Sequence, residues 1–82
     1  MREIKIGKIY KHFKGNLYIV LDIVNDSESN DDKKIVIYQA LYGEHIKWAR
    51  PYEMFNSLVD TQKYPNTKQK YRFEEVEKIV EG

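Results

Sequence analysis

The sequence predicts a mainly β protein: a small, strongly curved barrel of short strands, with a single helical turn and a short C-terminal helix. Three observations predict it. Leu17 to Val24 alternates with period two and is rich in β-branched residues, the signature of a half-buried strand. Lys34 to Tyr42 is apolar on both of its sides, as a central strand covered on both faces should be. Turn-forming residues flank these runs, at Lys14-Gly15-Asn16 and at Gly43-Glu44, where glycine supplies the backbone freedom of a tight hairpin. The 82 residues give room for one domain, so all elements must share one core. The barrel is expected over about residues 7–73 and the helix over about 74–81.

At the N-terminus, Ile6, Ile9, Tyr10 and Phe13 fit a helical template. Gly7 and Gly15 bracket a segment too short to hold as a helix, so a strand is assigned. On a strand, Lys5, Lys8, Lys11 and Lys14 fall alternately on opposite faces, which weakens any basic stripe. In the next strand Leu17, Ile19, Leu21 and Ile23 form an aliphatic face. That face is the expected core, with Leu21 at its centre and Leu21→Ala strongly destabilising. Asn25 to Lys33 is polar throughout and reads as a mobile loop. In the Lys34–Tyr42 strand, Ile35, Ile37, Gln39 and Leu41 share one side, and Val36, Tyr38, Ala40 and Tyr42 the other.

Ile46, Trp48 and Arg50 then alternate as a third hairpin strand. Pro51 ends it, because proline cannot donate to a ladder, and opens a helical turn over Pro51 to Phe55. Thr61 to Lys70 is polar and contains Pro65; it reads as a loop. Tyr71-Arg72-Phe73 is the last expected strand. Glu74 to Glu81 reads as a helix, with acidic residues at its positive end and Val76, Ile79 and Val80 as a narrow apolar stripe. Two turns do not hold alone in water, so the stripe must dock on the barrel or on another subunit.

Composition narrows the function classes. Net charge is +1, so overall electrostatics select no partner. Cysteine is absent, which removes disulfides and thiolate zinc sites. No apolar run is long enough to span a bilayer and none opens the chain as a signal peptide would; a cytoplasmic protein is expected. His12 and His45 stand in no metal-binding spacing, the serines in no nucleophile elbow, and the glycines in no phosphate-cradling loop. No catalytic, metal or cofactor site is therefore read. An enzyme would have to rest on His12, Asp22 and Arg50, with His12 and Asp22 within hydrogen-bond reach. Asp22, the one acid inside an apolar strand, is read instead as paired with a cation at the sheet margin. The histidines are read as surface or turn residues.

Aromatic residues are the excess: seven Tyr, three Phe and one Trp. Tyr18, Tyr38 and Tyr42 fall on the strand face opposite the aliphatic one, and Trp48 stands in the adjoining strand. Tyrosine and tryptophan have an apolar body and a polar tip, which suits a half-wet recognition surface. The same rings could fill a second, smaller core. Arg50, before a rigid proline, is aimed in a fixed direction. It either grips a carboxylate or phosphate or braces the turn through Glu53 or Glu44, and bracing is preferred.

Several of these residues carry a family resemblance. Gly7-Lys8-Ile9-Tyr10-Lys11-His12-Phe13-Lys14-Gly15, with Tyr18 and Val20, resemble the opening of a small bacterial family known as domain of unknown function 1653. Ser27-Glu28, the run Val36, Tyr38 to Gly43, then Trp48, Arg50-Pro51, Met54-Phe55 and Arg72-Phe73 resemble its later motifs. Lys70-Tyr71 departs from the valine-proline usual before the closing pair. The resemblance implies a small cytosolic, stand-alone domain and no particular activity.

These readings converge on an SH3-like barrel acting as a non-enzymatic binding module. Its partner is expected to be a peptide, a protein or a small ligand, held on Tyr18, Tyr38, Tyr42 and Trp48 with Arg50 at the rim. The chain is expected to be a monomer or a weak homodimer. The alternative is a nucleic-acid-binding barrel using Lys8, Lys11, Lys14 and Arg50 with the same aromatics.

Overall fold

The structure, a computed structural model, describes residues 2–76. The period-two runs form strands, and the strands make one antiparallel sheet. β1 (Ile9–His12) and β2 (Leu17–Asn25) are joined by the Phe13–Asn16 turn, in which Gly15 has φ 110°. β3 (Lys34–Ala40) and β4 (Lys47–Pro51) follow, then the helical turn α1 (Tyr52–Phe55) and β5 (Phe73–Glu75). The sheet order is β4-β3-β2-β1-β5. β3 is an interior strand, paired on both sides by β4 and β2, as its two-sided apolar pattern leads one to expect. It stops at Ala40, two residues short of the expected end, where the turn through Gly43 begins.

Two expectations at the sheet's ends are corrected. The sheet does not close into a barrel: β4 pairs only with β3 and β5 only with β1. The last strand starts at Phe73, and Glu74 and Glu75 extend it where a helix was expected. Their backbone is taken by β1, with Tyr10 opposite Glu75 and Lys11 opposite Glu74. The Val76 N–H donates to the Ile9 carbonyl at 2.8 Å, continuing the ladder. The rest of the expected helix, with Ile79 and Val80, lies outside the described residues.

The larger correction concerns which face is the core. Val20 stands opposite Tyr38, but the next paired residue of β2 is Asp22, opposite Ile37. Leu21 is therefore the extra residue of a β-bulge. Before the bulge Tyr18 and Val20 face inward; after it Ile23 does, packed on the core. The aliphatic series Leu17, Ile19, Leu21, Ile23 thus never shares one face. Leu21 is 37% exposed and Leu17 also lies at the surface. The inward face is the aromatic one. Tyr10, Val20, Val36, Tyr38 and Phe73 come from the sheet, Phe55 from α1 and Ile4 from the N-terminal segment, all buried.

Phe55 and Phe73 stack with ring centroids 4.0 Å apart and planes 4° from parallel. Tyr10 and Tyr38 meet the Phe55 ring edge-on at 5.5 and 5.2 Å, a favoured arrangement for aromatic quadrupoles. Buried hydroxyls find partners, as they must. Tyr10 accepts the Lys5 N–H at 2.9 Å, and Tyr52 accepts the Ile4 N–H at 2.8 Å. These two bonds pin the N-terminal segment across the core beside α1 and close that end.

The corrected face assignment has a direct consequence in urea denaturation. Phe55→Ala should cost roughly 3–5 kcal/mol, the usual loss for a buried aromatic. Leu21→Ala should cost about 1 kcal/mol or less, as exposed positions do. A Leu21→Ala loss equal to that of Phe55→Ala would restore the aliphatic face as the core.

Candidate functional site: the open end of the aromatic face

The inward face is not covered along its whole length. Near α1 it is sealed by Phe55, Ile4 and Tyr10. Toward the other end of the sheet the covering runs out, and the side chains grade from buried to exposed. Tyr38 is buried, Tyr18 and Arg50 are half-buried, and Tyr42 and Trp48 are 43% and 49% exposed.

Four of the five residues singled out in the sequence are brought into contact. Tyr18 meets Tyr38 edge-on at 5.4 Å and Tyr42 at 5.6 Å. The Tyr18 and Tyr42 hydroxyls are hydrogen-bonded at 2.7 Å. This contact exists because the chain leaves β3 at Ala40 and folds Tyr42 back over Tyr18. Burial, followed by that hydroxyl contact, pushes the Tyr18 phenol up to about 12, so it stays protonated. Arg50 Nε donates to the Tyr38 hydroxyl at 3.1 Å, and its guanidinium lies 5.4 Å from the Phe73 ring centroid. Trp48, the fifth, stands directly opposite Tyr38 in the β3–β4 register. It shares their face but stays at the edge of the sheet.

Arg50 does not brace its own turn. Among the described residues no carboxylate pairs with it, neither Glu53 nor Glu44. Its anchor is a tyrosine hydroxyl, which leaves the fork's remaining donors available.

Two residues of this cluster were not read from the sequence. His12, expected at the surface, is half-buried with its ring 4.9 Å from Phe73 and 6.5 Å from Tyr18. Phe73 stands opposite His12 in the β1–β5 ladder. The pointers to Phe73 were its place in the last expected strand and the Arg72-Phe73 pair of the family resemblance. Asp22 and His12, the core of the enzyme reading, are not brought together. Asp22 faces the other side of the sheet, opposite Ile37, and its carboxylate accepts the Ile23 N–H at 2.8 Å. It takes a hydrogen bond of the bulge, where an ion pair was expected.

Two clefts open elsewhere on the described surface. One, of about 580 Å³, lies between the acidic loop near Asp31 and the Tyr52–Met54 turn. The other, of about 310 Å³, lies beyond His12. Neither is lined by Tyr18, Tyr38, Tyr42, Trp48 or Arg50.

His12 makes the local field measurable. Burial lowers its pKa to about 4 from the ordinary 6.5, with Arg50, Lys14 and Arg72 adding to the effect. The unfolded chain takes up this proton near pH 6.5 and the folded chain only near 4, so acid favours unfolding across that window. Replacing His12 with Gln should make stability fall less steeply as pH drops through it, in denaturation midpoints measured at several pH values. Equal slopes for both proteins would mean that His12 titrates freely in the fold.

Neither a curated protein nor a solved structure matches the chain. A family does, over residues 8–75. That span contains all five strands and α1, and with them the whole aromatic cluster and Arg50. The chain belongs to the family described as Protein of unknown function (DUF1653).

Proposed function

We propose that this domain is a non-enzymatic binding module that recognises a peptide, a protein or a small ligand at the open aromatic end. Tyr42 and Trp48 are its contact rings, Tyr18 and Tyr38 their support, and Arg50 the charged group at the rim. The observation that carries this reading is the pairing of two features. Trp48 is half-exposed on the core face, directly opposite buried Tyr38, and Arg50 beside it has no carboxylate partner among the described residues. Aromatic and arginine side chains are the usual anchors of binding surfaces. Together they suit an apolar side chain next to a carboxylate. In this reading the five short strands, with a helical turn before the last, form an SH3-like curved sheet left open between β4 and β5.

The nucleic-acid reading in its original form has less support. Lys11 pairs with Leu17 and Glu74 on the outer face, whereas Tyr10 and His12 point inward. Lys11 therefore cannot join Lys14 beside the tyrosines in one stripe.

The test is selection of short peptides from a display library against the full chain, followed by titration of the selected sequences. Trp48→Ala should weaken their binding by about 2 kcal/mol or more, as lost aromatic anchors do. Arg50→Gln should weaken it as well, while Lys11→Ala leaves it unchanged. A melting curve for each variant separates lost contact from lost fold. Selected peptides that bind a stably folded Trp48→Ala protein at full strength would sink the aromatic end as the recognition surface.

A further inference from the structure

The cleft beyond His12 has a chemistry of its own. It lies between the β1–β2 turn and the 60–64 loop, and Lys14, Lys63 and Arg72 line it together with Asp60. The acid is already engaged: Asp60 Oδ1 accepts the N–H groups of Gln62 at 3.0 Å and Lys63 at 3.3 Å. No carboxylate of the described residues lies within ion-pair distance of Lys14, Lys63 or Arg72. Three cations against one carboxylate leave the concave site net positive, and such a site focuses a positive potential.

The walls fix these charges in place. Phe13 and Tyr64 pack with ring centroids 4.8 Å apart. Lys14 Nζ lies 5.4 Å from the Tyr64 centroid and Lys63 Nζ 5.6 Å from it, within cation–π range. The Phe13 N–H donates to the Arg72 carbonyl at 2.9 Å, which ties the turn to the approach of β5. The Tyr64 N–H donates to the Asp60 carbonyl at 2.8 Å and closes the loop. His12 adds a neutral donor: its Nδ1 accepts the Lys14 N–H at 3.1 Å, so the ring proton sits on Nε2.

We propose that this cleft binds the phosphate dianion of a small phosphomonoester, with the organic body of the ligand against Tyr64 and Phe13. An arginine fork, two ammonium groups and a neutral imidazole N–H match a doubly charged group with three terminal oxygens. A volume of about 310 Å³ is at the lower end of small-ligand sites. A phosphodiester strand offers one charge per phosphate and makes weaker use of the cleft.

The test uses the full, ¹⁵N-labelled chain at neutral pH and low ionic strength, titrated separately with phenyl phosphate, inorganic phosphate and unphosphorylated hexathymidylate. Phenyl phosphate should give saturable shifts at the amides of Lys14, Lys63, Tyr64 and Arg72, and should bind more tightly than inorganic phosphate. Arg72→Gln should weaken it by about tenfold or more, the loss expected of a charge-assisted contact. Lys14→Gln gives the same test on a turn residue if the Arg72 variant is unstable. Tyr64→Leu should abolish the preference for the phenyl ester. Bound phosphate should also raise the titration midpoint of His12. The proposal is overturned by three results: no saturable shift with either phosphate, binding unaffected by both charge variants, or tighter binding of hexathymidylate. None of the substituted residues belongs to the Trp48 surface, so this outcome and that of the peptide titration are independent.

Discussion

Everything in this fold hangs on the contact between Phe55 and Phe73. The two rings come from elements that share no backbone ladder, the α1 turn and the last strand. A five-stranded sheet that fails to close leaves β4 and β5 as free edges, and a small domain must manage such edges. Just outside α1 and β5 the backbone makes a short link, Arg72 N–H to the Ser57 carbonyl at 2.8 Å and Val59 N–H to the Lys70 carbonyl at 2.9 Å, and side chains complete it. The stack joins the segment after β4 to β5, and the Tyr10 and Tyr38 rings meet it edge-on. Face-to-face stacking is not the arrangement two isolated rings prefer. It is held by what surrounds it, with both residues essentially without solvent exposure.

The proposed recognition surface is the outward continuation of the same cluster. Arg50 rests over Phe73 and holds the hydroxyl of Tyr38. Tyr18 leans on Phe73 and Tyr38 and carries Tyr42. The exposed rings therefore stand on a rigid base. That favours precise recognition, because the order needed for binding is already present in the fold. The same continuity couples the surface to stability: a change at Phe73 disturbs Arg50 and Tyr18 together. His12 sits where the aromatic end and the cationic cleft meet. It lines the cleft, touches Phe73, and feels Arg50, Lys14 and Arg72 at once.

Much of this was legible in the residues. Period-two alternation located β2 to β4, the bracketing Gly7 and Gly15 located β1, Lys14-Gly15-Asn16 located the first turn, and Pro51 located the helical turn. The contact of Tyr18 with Tyr38, and the place of Trp48 across the hairpin, followed from strand pairing in sequence order, whereas Tyr42 reaches Tyr18 from beyond the end of β3. The faces of β2 were not legible. Alternation assigns sides only while the register is regular, and one extra residue at Leu21 moves every later side chain to the other face. A bulge in an aliphatic run has no glycine to announce it. β5 was expected at Tyr71 to Phe73 and runs instead from Phe73 to Glu75: Glu74 and Glu75 have helical composition, and they extend the strand because β1 offers an unpaired edge. His12 was misread because its burial depends on Phe73, a residue distant in sequence.

A double-mutant cycle between Phe55 and Phe73 tests the account most directly. Phe55→Leu, Phe73→Leu and the double variant are unfolded in urea, leucine being chosen to keep apolar volume. If the stack joins α1 to β5, the two losses are coupled, with an interaction energy of about 0.5–1.5 kcal/mol for an aromatic pair. Losses that add to within about 0.3–0.5 kcal/mol, the range of independent sites, would show that the two rings stabilise the domain separately and that something else holds its open edges together.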